Sequence, residues 1–154
     1  MSGLQLRKLF ESAVDSLCAV DHYLLRVDAN ERSISHRLAV HLASQFPDFD
    51  VDCEYNRDGF DVKRLALSQR EVRDDDVEAV TVFPDIVVHK RGSNESNLLV
   101  VEIKKISSNV GSSYDLKKLE AFRRQLGYRH SAHCTIGYNR CGKLIRRILW
   151  ADAS

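Results

Sequence analysis

Two apolar runs separated by a short polar turn constrain the fold of this chain more than any other feature of its sequence. The segments 80–90 and 97–105 contain apolar residues at consecutive positions rather than only at alternate ones, and the polar stretch RGSNES joins them. Strands that are buried on both faces have this composition, and a turn rich in Gly, Ser and Asn connects neighbouring strands. We therefore predict two adjacent central strands of a sheet.

Two helices are predicted before the sheet. Apolar residues recur at helical spacing through about residues 4–25, and Asn30 is placed to cap a second helix that begins with Glu31. The apolar stripe of the first helix consists of Leu6, Phe10, Ala13, Leu17, Val20 and Leu24, and that of the second consists of Ile34, Leu38, Leu42 and Phe46. Each helix thus has one face that can pack on a sheet.

The other segments complete the predicted order of elements. DFDVDCEY and FDVKRLAL have strand patterns around the turn NRDG, and the following charged stretch with Asp74-Asp75-Asp76 is typical of a solvated loop. Ser112 and Asp115 are spaced as a capping box for a helix that ends near Gly127. AHCTIGY has a strand pattern, whereas KLIRRILWAD fits either a strand or a short helix. The order α-α-β-β-β-β-α-β-(β) predicts an α/β fold with a mixed sheet flanked by helices.

Length and composition limit the class of protein. The 154 residues suit one domain, over 1–154, and the formal net charge of +1 excludes a strongly basic polyanion binder. Neither a signal peptide nor a membrane span is visible, so we expect a cytoplasmic protein with free thiols. His130, His133, Cys134 and Cys141 can all bind zinc, but their spacing fits no common zinc finger, and unligated thiols and histidines are the favoured interpretation.

Charged residues at the ends of both apolar runs need a physical reason. Glu102 and Lys104 are two residues apart, so they point to the same face of a strand, and Asp85 opens the neighbouring strand. A hairpin around RGSNES would bring Asp85 and Glu102 side by side. Two carboxylates at that range repel each other, and either a divalent cation or an ion pair with Lys104 would relieve the repulsion.

Pro84-Asp85, a gap of sixteen residues and then Glu102-Ile103-Lys104 resemble the motif of the PD-(D/E)XK nuclease superfamily. The predicted surroundings agree with that resemblance over roughly residues 31–140, because a helix with an acid precedes a β-meander, a helix and another strand. The resemblance implies a restriction-endonuclease-like core. The helix before Leu25 would be an N-terminal addition to the common core of that fold.

The same resemblance implies roles for individual residues. Asp85 and Glu102 would hold Mg²⁺, for which Mn²⁺ can substitute, with the backbone carbonyl of Ile103 as a third protein ligand. Lys104 would orient or activate the attacking water, and Glu31 would contact the metal or its water. The implied activity is hydrolysis of phosphodiester bonds in nucleic acid, DNA rather than RNA, by a homodimer or by one subunit of a larger system.

A second stretch repeats some of these letters. Asp48 follows a proline in an earlier FPD, and Asp61 and Lys63 form a D-x-K. Asp48 falls in the turn after the second helix, and the other two residues fall on the polar face of an alternating strand, where charges face water. We therefore favour the later stretch. Further candidates for the same cleft are Glu54, Asp61, Lys117 and Gln125.

Two other functions fit the sequence. The chain could be a non-catalytic module of the same fold that binds nucleic acid or a protein. It could also be a small structural or regulatory protein in which Asp85, Glu102 and Lys104 form a buried ion-pair network. Binding of a metal ion would separate the nuclease from both alternatives.

Overall fold

The computed structural model of the chain describes residues 1–58, 61–62, 64–65 and 80–152. The helices are α1 (Gly3–Val20), α2 (His22–Arg26), α3 (Glu31–Gln45) and α4 (Ser113–Leu126). The strands are β1 (Asp50–Cys53), β2 (Arg57–Asp58), β3 (Asp61–Val62), β4 (Arg64–Leu65), β5 (Val80–Thr81), β6 (Ile86–His89), β7 (Leu99–Lys105), β8 (His130–Tyr138) and β9 (Leu144–Trp150).

The main sheet has five strands in the order β1-β6-β7-β8-β9. All neighbouring strands are antiparallel except β7 and β8, which are parallel and joined by the crossover helix α4. The two apolar runs form β6 and β7 near the centre of this sheet, which confirms their predicted pairing. Two small sheets, β2–β3 and β4–β5, lie outside the main one.

Helices cover both faces of the main sheet. On one face, α1 and α3 pack most of their predicted apolar stripes against side chains such as Ile86, Val101 and Ile136. On the other face, α4 packs Leu119 and Phe122 against residues of β6 and β7. The mixed five-stranded sheet with flanking helices confirms the predicted α/β class. The face under α4 is the one that carries Glu102 and Lys104, because it is also the face of Val100.

Four local predictions can be compared with the structure. The single helix over 4–25 is wrong, since the chain breaks at Asp21 into α1 and α2 and leaves Val20 64% exposed. The continuous strand over 80–90 is also wrong, because residues 82–85 separate β5 from β6. The capping box fails, since the Ser112 side chain makes no capping hydrogen bond. The ambiguous C-terminal segment is a strand, β9, and Trp150 packs against the core.

The break at Asp21 has a specific cause. Asp21 Oδ1 accepts a hydrogen bond from Arg37 Nε at 2.9 Å, and Asp21 Oδ2 lies 2.6 Å from His41 Nε2. Both partners belong to α3, so the half-buried carboxylate ties the turn between α1 and α2 to the next helix. Burial opposes the charge, but these hydrogen bonds outweigh it and lower the pKa of Asp21 below its ordinary value of 3.8.

Asp21→Asn is therefore expected to lower the free energy of unfolding by about 1–3 kcal/mol near neutral pH. Because the folded-state pKa of Asp21 is lowered, its contribution is present above pH 3.8 and is lost as the pH falls through the folded-state value. Urea unfolding at neutral and at strongly acidic pH would measure this, with the exposed Glu11→Gln as control. A loss of stability that is equally large in strong acid would contradict the explanation.

None of the helices in the part of the chain that the structure describes is long and apolar enough to cross a membrane. Lys63 and the Asp74-Asp75-Asp76 run lie outside the described residues.

Candidate active site

Asp85 joins the two segments of the sequence motif. It directly precedes β6 and follows the buried Pro84, and its Oδ2 accepts a hydrogen bond of 2.7 Å from the backbone N–H of Ile103 on β7. The last residue pair between β6 and β7 is Ile86 with Val101, so this carboxylate binds β7 just past the point where strand pairing stops. The PD and EIK parts of the motif are therefore in direct contact.

Glu31 reaches the same edge of β7 from the first turn of α3. Its Oε2 accepts a hydrogen bond of 2.8 Å from the backbone N–H of Lys105. Since Ile103 and Lys105 are two residues apart, their N–H groups point to the same side of the strand. The carbonyl of Ile103 points to that side as well, beyond the end of β6. Asp85, Glu31 and this carbonyl thus provide oxygen atoms along one edge of β7, past the end of β6.

Glu102 lies beside Asp85 but on the face covered by α4. Its side chain is only 3% exposed, and its carboxyl group is within hydrogen-bonding range of the Asp85 carboxyl. Among the described residues, its Oε1 has no well-aligned hydrogen-bond donor. Burial, and then the charge of Asp85, raise the pKa of Glu102 well above its ordinary value. Burial also raises the pKa of Asp85, although the N–H of Ile103 opposes that rise.

Two lysines lie on the same side of the sheet as Glu102, under α4, and they have different partners; the acid pair is Asp85 and Glu102. Lys118 on α4 places its Nζ 3.1 Å from Glu102 Oε1, an ion-pair distance without good hydrogen-bond alignment. Lys104, the lysine of the sequence motif, places its Nζ 3.0 Å from Asp115 Oδ2 instead. Both lysine side chains are 12% exposed. The cation in ion-pair contact with the acid pair is therefore contributed by α4.

Asp115 holds Lys104 within a second buried cluster. His133 Nε2 lies 3.2 Å from the same Oδ2 atom, and His133 stands opposite Glu102 in the β7–β8 register. Burial raises the pKa of Asp115, but the hydrogen bonds from His133 and Lys104 outweigh it and lower the pKa below its ordinary value. Asp115 therefore carries a negative charge that competes with the acid pair for Lys104.

The sequence interpretation did not assign Lys118 to the site. It named Lys117 and Gln125 as the candidates on α4. Both candidates are exposed. The missed signal was helical spacing, because position 118 shares a face with the buried Asp115 and Phe122.

The described residues of the earlier FPD and D-x-K stretch lie in other elements of the fold than the acid pair does. Asp48 is exposed in the turn after α3, Asp61 belongs to the small β2–β3 sheet, and Lys63 lies outside the described residues. Glu54 lies next to the site, since its backbone N–H donates to the Asp85 carbonyl at 3.2 Å. Its exposed carboxylate pairs with Arg32 at 3.2 Å.

The four candidate zinc ligands, all of them within the described residues, do not form one group in the structure. His133 and Cys134 are consecutive on β8, so they point to opposite faces of the sheet. His133 contacts Asp115 beneath α4, whereas Cys134 is buried in the core on the α1 side. His130 contacts Asp152, and Cys141 is exposed in the turn before β9.

The acid pair has the donor chemistry of a Mg²⁺ site. Together with the Ile103 carbonyl it offers oxygen atoms, the ligands that Mg²⁺ prefers. Mg²⁺ commonly uses only one or two protein carboxylates together with substrate phosphate and water. No group of three His, Cys, Asp or Glu side chains that could hold a metal ion occurs among the residues that the structure describes. Comparisons with family models, with curated proteins and with solved structures found no match to the chain.

Proposed function

We propose that this protein is a metal-dependent phosphodiester hydrolase, a nuclease of the PD-(D/E)XK type that acts on DNA. The observation that carries the proposal is the acid pair itself. Asp85 and the buried Glu102 lie side by side at one end of the two central strands β6 and β7, where the Lys118 ammonium is 3.1 Å from Glu102 Oε1. A single ammonium offsets only one of two negative charges, whereas a divalent cation between the carboxylates would offset both.

Mg²⁺ would be held by the carboxylates of Asp85 and Glu102 and by the carbonyl of Ile103, and Mn²⁺ would substitute for it. When bound, such an ion polarises a phosphoryl oxygen and lowers the pKa of a coordinated water. Glu31, fixed to the N–H of Lys105, would accept a hydrogen bond from the water that attacks the phosphorus atom. The buried strand ends hold these oxygens in place before substrate arrives.

The two lysines would act on the charge of the phosphodiester. Lys118 is next to Glu102 and can donate a hydrogen bond to a phosphate oxygen near the acid pair. Lys104 keeps the role that the motif predicts only if it leaves Asp115, with which it is paired. We therefore propose Lys118 as the lysine that contacts the phosphate and Lys104 as a positioning residue that acts through Asp115.

Cleavage of labelled DNA and RNA is the direct test. Wild-type protein is expected to cleave DNA with Mg²⁺ or Mn²⁺ and not with EDTA. Asp85→Asn is expected to reduce the rate by at least about 10²-fold, because the metal contributes several kcal/mol to the transition state. Asp48→Asn is a matched control, since it changes the same letter of an FPD sequence at an exposed position. Equal activity of the Asp85→Asn protein and the wild type would contradict the proposal.

A structural ion-pair network is the competing explanation, and the contact between Lys118 and Glu102 favours it. In that case the protein would bind Mn²⁺ no better than the Asp85→Asn protein does. Isothermal titration with Mn²⁺ in the absence of nucleic acid separates the two explanations without relying on activity.

A further inference from the structure

Two exposed aromatic residues contact Lys118, the lysine beside the acid pair. Phe83 precedes the PD sequence and is 44% exposed, and Tyr114 in the first turn of α4 is 38% exposed. The other aromatic residue that is similarly exposed in the described part of the chain is Tyr23, on α2. Exposed aromatic residues beside a cationic group and a polar site are typical of a binding surface.

Lys118 connects both aromatic residues to the acid pair. Its Nζ donates a hydrogen bond of 3.2 Å to the backbone carbonyl of Phe83 and lies 5.7 Å from the centroid of the Tyr114 ring. The same Nζ is 3.1 Å from Glu102 Oε1. One ammonium group therefore contacts the acid pair, the Phe83 backbone and the Tyr114 ring. A phosphate held at the acid pair would lie close to both exposed aromatic residues.

We propose that Phe83 and Tyr114 stack on unpaired bases that flank the phosphate to be cleaved, so that the substrate is single-stranded DNA or a frayed DNA end. This inference rests on the proposed nuclease function. Aromatic rings beside a cationic group are the usual way in which proteins bind single strands, because every base has a face on which a ring can stack. Inside a duplex those faces are covered by neighbouring base pairs, and a ring reaches them only after unpairing.

Fluorescence of 2-aminopurine measures such stacking directly. A short single strand that contains 2-aminopurine would be titrated with protein in the presence of Ca²⁺, and a blunt duplex of the same sequence would be titrated in parallel. Wild-type protein is expected to bind the single strand more tightly and to quench its fluorescence. Phe83→Ala and Tyr114→Ala are each expected to weaken single-strand binding by about 10-fold, whereas Tyr114→Phe, which keeps the ring, should bind like the wild type. Tyr23→Ala is the matched control.

The outcomes separate this inference from the nuclease. Quenching that depends on the two rings, without cleavage under any condition, would support the stacking surface and remove the proposed function. Cleavage of duplex and single strand at equal rates, unchanged in both alanine variants, would keep the nuclease and overturn the stacking surface. Equal losses of single-strand affinity in the Tyr23→Ala and Tyr114→Ala proteins would also overturn the stacking surface, because the loss would then not depend on a ring near the acid pair.

Discussion

Glu102→Gln is expected to abolish cleavage and, in the absence of metal, to make the protein more stable. The loss of activity, by at least about 10²-fold, follows from removal of one of the two carboxylates that would hold the metal. The gain in stability follows from burial, since the side chain is 3% exposed and its charged form is unfavourable beside Asp85. After the substitution, the Lys118 ammonium still has the negative charge of Asp85 nearby.

The gain in stability depends on pH in a defined direction. The pKa of Glu102 is raised above its ordinary value of 4.5, so the folded protein keeps a proton that the unfolded chain releases. The stability that this group contributes is complete below pH 4.5 and is lost as the pH rises through the folded-state pKa. Glutamine does not titrate. We therefore expect the variant to be more stable than the wild type in alkaline buffer.

Thermal unfolding in EDTA, in mildly acidic and in alkaline buffer, measures this effect. Glu120→Gln is the matched control, because Glu120 lies on α4 with a side chain that is 64% exposed. The difference between the Glu102→Gln protein and the wild type should grow with pH, and that of the control should not. A Glu102→Gln protein that is less stable than the wild type at every pH would mean that the ion pair with Lys118 stabilises the fold.

The sequence was informative wherever local pattern and burial coincide. Consecutive apolar residues identified β6 and β7, and the placement of Asp85 and Glu102 at their ends predicted that the two carboxylates meet. The turn between β6 and β7 makes the start of β6 a neighbour of the end of β7, so the positions of Asp85 and Glu102 relative to each other follow from the hairpin. Glu31 was predicted from resemblance, and its contact with β7 depends on how α3 packs across the sheet, which no local pattern specifies.

The partners of the lysines were not predictable in the same way. Asp115 has the spacing of a capping residue, and only the packing of α4 over β7 and β8 turns it toward Lys104 and His133. The break at Asp21 is similar, because its carboxylate is fixed by residues of α3 that follow later in the sequence. Contacts between side chains of different elements depend on tertiary packing, and helical periodicity records only which face is buried.

The different partners of Lys118 and Lys104 predict different losses of cleavage rate when each lysine is replaced. Lys118→Met is expected to lower the cleavage rate by about 10²-fold, which is typical of the loss of one preorganised donor to a developing negative charge. Lys104→Met should cost less, about 10-fold, because Lys104 is paired with Asp115 and acts on the site only through it. Lys117→Met is the matched control, since Lys117 is the exposed neighbour of Lys118 on α4.

A second measurement separates a lysine that contacts the acid pair from one that supports the fold. The ammonium of Lys118 lies 3.1 Å from Glu102 Oε1, so its positive charge repels a cation that approaches the acid pair. Lys118→Met should therefore bind Mn²⁺ at least about 5-fold more tightly than the wild type in a calorimetric titration without DNA, even though it cleaves more slowly. A Lys118→Met protein with unchanged Mn²⁺ affinity and wild-type activity would return the catalytic role to Lys104, whose ammonium would then have to leave Asp115 when substrate binds.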